Sequence, residues 1–184
     1  MPGARAAGHS GPVIIRRERP TDAESVHAVH ASAFASTAPE GTTPVEAGLV
    51  DTLRATDAWL PALSFVALDG EGVVGHVVCT RAHIDARPVL ALGPLGVRAD
   101  RQRGGVGGAL MHTVLGAADA LDEPIVVLLG HTTYYPRFGF RPAAELGITP
   151  PVAEWAEHFM ALPLTAHDPS LRGEFAYAAP FMAI

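Results

Sequence analysis

The segment Gln102-Arg103-Gly104-Gly105-Val106-Gly107-Gly108 sets four glycines at the start of a stretch with helical periodicity. These are the residues whose types and spacing point most directly to chemistry. At a helix N-terminus the first backbone N–H groups lack carbonyl partners and the helix dipole favours an anion; glycine lets those amides come close to a ligand. With Arg98, Arg101 and Arg103 alongside, the turn reads as a cradle for a diphosphate. The chain contains no lysine, which excludes a Walker-type phosphate loop, a Schiff-base lysine and a pyridoxal-phosphate anchor. A Rossmann dinucleotide site is also disfavoured. The charged loop Arg98 to Arg103 separates the glycines from the preceding strand, and Asp119, Asp122 and Glu123 fall at the end of the following helix.

Other reactive side chains carry weaker signals. Cys79 sits inside an apolar run without a histidine or base at a telling spacing, and reads as a small buried hydrophobe. His27 and His30 are three residues apart at the edge of an amphipathic helix. Without a third nearby ligand they read as surface histidines and not as a zinc pair. No CxxC or HExxH pattern occurs, and no metal is expected.

The elements that must position the glycine turn follow from periodicity. Val13-Ile14-Ile15-Arg16 reads as a short strand, and Thr21-Asp22-Ala23-Glu24 has the form of a capping box that opens a first helix carrying Val26, Val29, Ala33 and Phe34. Thr43-Pro44-Val45-Glu46 is a second such signal, opening a helix with Leu49, Val50 and Leu53. Ser64 to Leu68 and Val73 to Ile84 read as a β-hairpin across Asp69-Gly70-Glu71-Gly72. Val89 to Val97 is a strand interrupted by Gly93, Pro94 and Gly96. It must bend, and Pro94 has no N–H to give to a neighbour. The glycine turn, a helix through Val106, Leu110, Val114, Ala117 and Leu121, and the apolar strand Ile125 to Leu129 complete a crossover between parallel neighbours. His131 to Gly139 predicts one short helical turn; Phe159 to Leu162 and Phe175 to Tyr177 are late strands.

The 184 residues suit one domain over residues 13–184, with residues 1–12 as a flexible tail, and 48% hydrophobic residues suffice for a sizeable core. A net charge of −6 argues against nucleic acid or an anionic membrane as partner. No apolar run approaches the roughly 18 residues of a membrane span, no signal peptide is visible, and the single cysteine fits a reducing cytoplasm.

Gln102-Arg103-Gly104-Gly105-Val106-Gly107 matches the pyrophosphate motif Q/R-x-x-G-x-G/A. With Leu92-Gly93-Pro94-Leu95-Gly96-Val97 before it and Tyr134-Tyr135-Pro136-Arg137-Phe138-Gly139-Phe140 after it, the chain resembles the GNAT superfamily of acyl-CoA-dependent N-acetyltransferases, and a bacterial subgroup within it. The resemblance implies an α/β fold whose mostly antiparallel sheet splays between its fourth and fifth strands. It implies acetyl-CoA as donor, held by Leu95, Gly96, Val97, Gln102, Arg103, Gly104, Gly105, Val106, Gly107, Gly108 and Tyr135. It also implies Tyr135 as the acid that meets the departing thiolate, with Tyr134 as the alternative if the short helix is rotated. The acceptor would be a primary amine, small or on a peptide, acetylated without a covalent enzyme intermediate; homodimers are common in the family. Glu46 is the first carboxylate to test as base, although its place in a capping box gives it a structural task; His76, His83 and Asp85 rank behind it. The rival reading is an acyl-CoA-binding sensor or structural domain without catalysis.

Overall fold

A computed structural model describes residues 12–183. The tail expected at residues 1–12 falls, Pro12 apart, outside them. Strands β1 (Ile14–Arg17), β2 (Trp59–Asp69), β3 (Gly72–Ile84) and β4 (Arg87–Val97) pair as consecutive antiparallel neighbours. The Asp69 carboxylate accepts the Glu71 N–H at 2.8 Å and fixes the predicted hairpin turn. β2 starts at Trp59, ahead of the apolar run. Trp59 pairs with Thr80, and pairing resumes only at Ser64, so the irregular stretch accommodates Pro61.

Helix α3 (Val106–Ala120) crosses from β4 to β5 (Ile125–Leu129), which lies parallel to β4. β8 (Phe159–Pro163) follows antiparallel to β5, and β6 (Arg141–Pro142) lies outside it. β9 (Gly173–Ala176) pairs with the far end of β3 and with β7 (Ile148–Thr149). The result is the expected mixed, mostly antiparallel sheet with helices on both faces. α1 (Ala23–Ala33) and α2 (Val45–Arg54) cover one face, where Val26 and Val50 meet Val66. α3 covers the other, packing Leu110, Met111 and Val114 on Phe65, Ala67 and Val77. Alternation along β2 sends Phe65 and Ala67 to α3 and Ser64 and Val66 to α1 and α2. Cys79 is buried as expected, and burial pushes its thiol pKa up. Among the described residues no helix is long and apolar enough to cross a membrane.

Neither capping box forms as the sequence suggested. Pro20–Asp22 is a 3-10 turn, and α1 starts after it; the Asp22 carboxylate, held by Arg16 at 2.6 and 2.9 Å, accepts the Arg19 N–H at 2.7 Å. Thr21 is displaced from the cap because proline at the head of the turn starts it one residue earlier. At α2 the N-cap residue is Pro44, with no side-chain capping bond, so Glu46 is released from the structural task assigned to it.

Candidate active site

β4 and β5 are in register at two positions, Leu90 with Val126 and Ala91 with Val127. Beyond them β4 stays with β3, pairing Leu95, Gly96 and Val97 with Val77, His76 and Gly75. Gly93 and Pro94 form the expected bulge, because Leu92 faces Cys79 and Leu95 faces Val77, leaving two residues opposite one. The bend turns β4 away from β5, and a cleft of about 1070 Å³ opens between them. Leu92 to Leu95 and Val97 line it from β4, Leu129 and Gly130 from the end of β5. Its size lies at the top of the range of small-molecule sites, about 300–1,000 Å³.

At one end of the cleft stands the glycine turn. Gly105 caps α3 at φ +87°, a left-handed conformation that favours glycine. The first helical bond runs from the Ala109 N–H to the Gly105 carbonyl at 3.0 Å, so the amides of Val106, Gly107 and Gly108 precede any intrahelical partner. Gly107 is favoured by close approach: a Cβ there would lie 3.1 Å from the Tyr134 Oη, tighter than an ordinary contact. Unpaired amides beside an open cleft suit an anionic donor. Gln102, Arg103, Gly105, Gly107 and Gly108 all line the cleft. Gln102 also donates its Nε2 to the Val97 carbonyl at 3.0 Å, tying the turn to β4. Three of the expected donor residues do not line the cleft: the Val106 side chain is buried in the core, Gly104 lies on the exposed outer side of the turn, and Gly96 faces α1.

The arginines correct the expected charge. Arg98 is paired with Asp100 at 2.7 Å and Glu71 at 3.3 Å. Arg101 is paired with Asp69 at 2.9 Å, Glu71 at 2.7 Å and Asp100 at 2.6 Å. Three carboxylates therefore offset two guanidiniums, and among the described residues Arg103 alone of this segment has no carboxylate partner. The hairpin that supplies Asp69 and Glu71 lies some thirty residues upstream of the arginines, beyond what local spacing reveals.

The predicted helical turn is a 3-10 turn, Tyr135–Phe138, closed by Gly139 at φ +94°. It presents both tyrosines to the cleft. The Tyr134 hydroxyl reaches Gly107, while Arg137 lies over its ring at 4.6 Å and donates Nε to its carbonyl at 2.9 Å. The Tyr135 ring packs edge-to-face on Tyr134 at 5.0 Å and Phe140 at 5.8 Å, and lies so close to Gly130 that any side chain there would collide with it. Burial, reinforced by Tyr134, pushes the Tyr135 phenol up to about 12. Burial also raises Tyr134, with Arg137 acting in the opposite direction.

At the other end the cleft is lined by Phe34, Glu46, Leu49, Trp155, Tyr177 and Phe181. Glu46 is the one carboxylate among the described residues that line the cleft. The three other base candidates do not line the cleft: His76 is fully buried on the α1 face, His83 is exposed at the far end of β3, and Asp85 accepts the Glu174 N–H at 3.0 Å. His30 is not a surface histidine but fully buried, bonded to His76 at 2.8 Å; His27 pairs with Asp51 at 2.7 Å. Trp155, Tyr177 and Phe181 were not foreseen. They belong to no motif, and the one signal was the aromatic spacing Phe175, Tyr177, Phe181. Among the described residues no group of three or more metal-ligating side chains occurs.

A family model described as an acetyltransferase (GNAT) domain matches residues 61–142. The uncharacterized N-acetyltransferase YjhQ of Escherichia coli strain K12 is 37% identical over 143 residues, 73% of this chain and 79% of that protein. A GNAT family acetyltransferase from Brucella melitensis, solved in complex with acetyl-CoA, superimposes with a TM-score of 0.75 at 31% identity, covering 92% of this chain and 98% of that one. The GNAT family N-acetyltransferase YhbS of Escherichia coli, solved with CoA, gives a TM-score of 0.83 at 26% identity, covering 95% of this chain and 96% of that one.

Proposed function

Because the chain belongs to the GNAT acetyltransferases, we propose that it moves an acetyl group from acetyl-CoA directly to a primary amine. One observation carries the reading: a single cleft runs through the β4–β5 gap from the unpaired amides of the glycine turn to Glu46. That the Brucella and YhbS proteins were solved with acetyl-CoA and CoA supports the choice of donor. The diphosphate would lie on the amides of Val106, Gly107 and Gly108 with Arg103 beside it, and the rest of the donor along Leu95 to Val97.

The acceptor amine, freed of its extra proton, attacks the thioester carbonyl; the C–N bond forms first and the carbonyl electron pair moves to oxygen. Collapse of that oxyanion breaks the C–S bond, CoA leaves as thiolate, and the proton that the new amide nitrogen sheds goes to the thiolate sulfur. A backbone amide freed at the β4 bulge stabilises the oxyanion. Tyr135 meets the thiolate. With its phenol near 12 against about 8.5 for a free thiol, full proton transfer would be uphill by about 5 kcal/mol, so Tyr135 acts chiefly as a hydrogen-bond donor to developing charge. Glu46, the one carboxylate lining the cleft among the described residues, attracts the ammonium and accepts its proton.

Thiol release with a panel of amines, together with acetyl-CoA binding by calorimetry, tests the reading. Turnover with at least one amine, reduced about a hundredfold in Glu46→Gln, is expected. Tight acetyl-CoA binding without turnover of any amine would favour the sensor instead.

A further inference from the structure

We infer that the acceptor is a primary amine carried on an aromatic or other apolar body, with no carboxylate and no second cation. This rests on the donor lying at the glycine turn, as proposed above. The charged groups of the cleft are segregated. Arg101 and Arg103 belong to the glycine turn, and Arg137 is held over Tyr134, whose hydroxyl reaches Gly107. The two histidines of the lining go with the tyrosine turn: His112 packs on Phe138 at 5.2 Å, and the His131 carbonyl accepts the Tyr134 N–H at 3.0 Å. Among the described residues that line the cleft, Glu46 is the one carboxylate, and it is grouped with Phe34, Leu49, Trp155, Tyr177 and Phe181.

These aromatic groups form a wall. Tyr177 lies 4.9 Å from Phe181 and 6.1 Å from Trp155, and is backed by Phe175 at 4.7 Å. Phe181 approaches Gly93, where β4 bends away from β5, and the 3-10 turn that carries it, Ala179–Met182, packs on α2, the helix of Glu46. Across the cleft Phe34 is stacked on buried His30 at 6.0 Å, which fixes its ring. Burial raises the Tyr177 phenol, so it adds no negative charge.

One carboxylate among aromatic faces satisfies one ammonium, by ion pairing and by cation–π attraction, and offers an apolar body a stacking surface. An amino acid would bring a carboxylate to an end with no arginine to receive it, since Arg101 and Arg103 belong to the glycine turn and Arg137 is held over Tyr134. A diamine or aminoglycoside would bring further ammonium groups with no second anion. Unpaired desolvated charges of this kind select strongly against their carriers.

The test compares kcat/KM for 2-phenylethylamine, phenylalanine, 1,4-diaminobutane and a short peptide with a free N-terminal alanine, with acetyl-CoA affinity measured in parallel. 2-Phenylethylamine should exceed each of the others by about a hundredfold or more. Phe181→Ala and the milder Phe181→Leu should raise its KM, about tenfold for the alanine variant, and leave the acetyl-CoA Kd within about twofold. Acetyl-CoA binding with preferred turnover of phenylalanine, the diamine or the peptide, or with no turnover of 2-phenylethylamine, overturns this inference and leaves the donor assignment standing. Absence of acetyl-CoA binding overturns both.

Discussion

His30 Nε2 lies 2.8 Å from His76 Nδ1, with both rings fully buried and nearly perpendicular at 88°. The chain of partners assigns the protons. Ser64 donates its hydroxyl to Glu18, which also holds Arg54 at 2.8 Å; His76 Nε2 lies 3.0 Å from Ser64 Oγ and 3.1 Å from the Glu18 carboxylate, and therefore carries the proton. His76 Nδ1 must then accept from His30 Nε2, and His30 Nδ1 is left as a buried lone pair without a partner. It points at Gly96, where a Cβ would lie only 2.7 Å away. Glycine at that position is therefore required by the histidine behind β4, a reason independent of any ligand.

Burial, then the neighbouring charges of His76 and Arg54, holds the His30 pKa well below 6.5; burial also lowers His76, against the opposing pull of Glu18. The unfolded chain takes up these protons near pH 6.5 while the folded chain does not, so it binds more protons below that pH and folding stability falls as pH drops. Each histidine adds a slope of up to about 1.4 kcal/mol per pH unit. Denaturant titrations between about pH 5 and about pH 8 should show this decline, and His30→Leu should flatten it. An identical slope in the variant would remove His30 as its source.

Gly105→Val and Gly107→Val should each abolish detectable acetyl-CoA binding, for different reasons. The first forces a β-branched residue to φ +87°, at a cost of about 1–2 kcal/mol, and covers the amides. The second drives a side chain into the Tyr134 hydroxyl. Gly116→Ala, in the open middle of α3, should instead stabilise the protein by about 1 kcal/mol with affinity unchanged. Calorimetry showing normal affinity in both valine variants would dismiss the glycine turn as the donor site.

With Arg98 and Arg101 already neutralised by Asp69, Glu71 and Asp100, donor binding should depend only weakly on salt. Arg103→Ala should weaken acetyl-CoA binding about two- to fivefold, as expected for one exposed charge contact at a helix N-terminus. A loss of affinity greater than about tenfold over a tenfold rise in ionic strength would contradict this balance.

Tyr135→Phe should lower kcat by about a hundredfold and leave the acetyl-CoA Kd within a few-fold. Tyr134→Phe removes the hydroxyl beside Gly107 and should chiefly affect donor affinity. Single-turnover rates and calorimetry on both variants separate the roles; the opposite pattern would transfer the acid role to Tyr134.

The sheet and the glycine turn were legible in the sequence because their signals are local. Periodicity marked α3 and β5, and the Gly93-Pro94 pair marked the bulge that parts β4 from β5. What escaped depends on partners distant in the chain. His30 meets His76 across 46 residues, and no spacing rule distinguishes a surface histidine from one that a strand will cover. The aromatic wall is assembled by the last third of the chain, whose short turns carry little periodicity. Thr43 to Glu46 has the residue types of a cap, yet α2 is headed by Pro44 with no side-chain capping bond, because capping depends on local geometry that residue types alone do not fix.

The seam between β4 and β5 consists of two paired positions, although β4 spans eleven residues and β5 five. The sheet is thus two rafts, one of β1 to β4 with β9 and β7 on the far end of β3, the other of β5, β8 and β6, with few backbone bonds across their border. Seated in that gap as proposed, the donor would bridge both rafts, and occupancy and folding would be linked equilibria. At a hundredfold excess over Kd the linkage adds about 2.7 kcal/mol to global stability. Amide exchange should slow most along the inner edges of β4 and β5. The gap between the two rafts is in this respect the place where an added strand would complete the sheet.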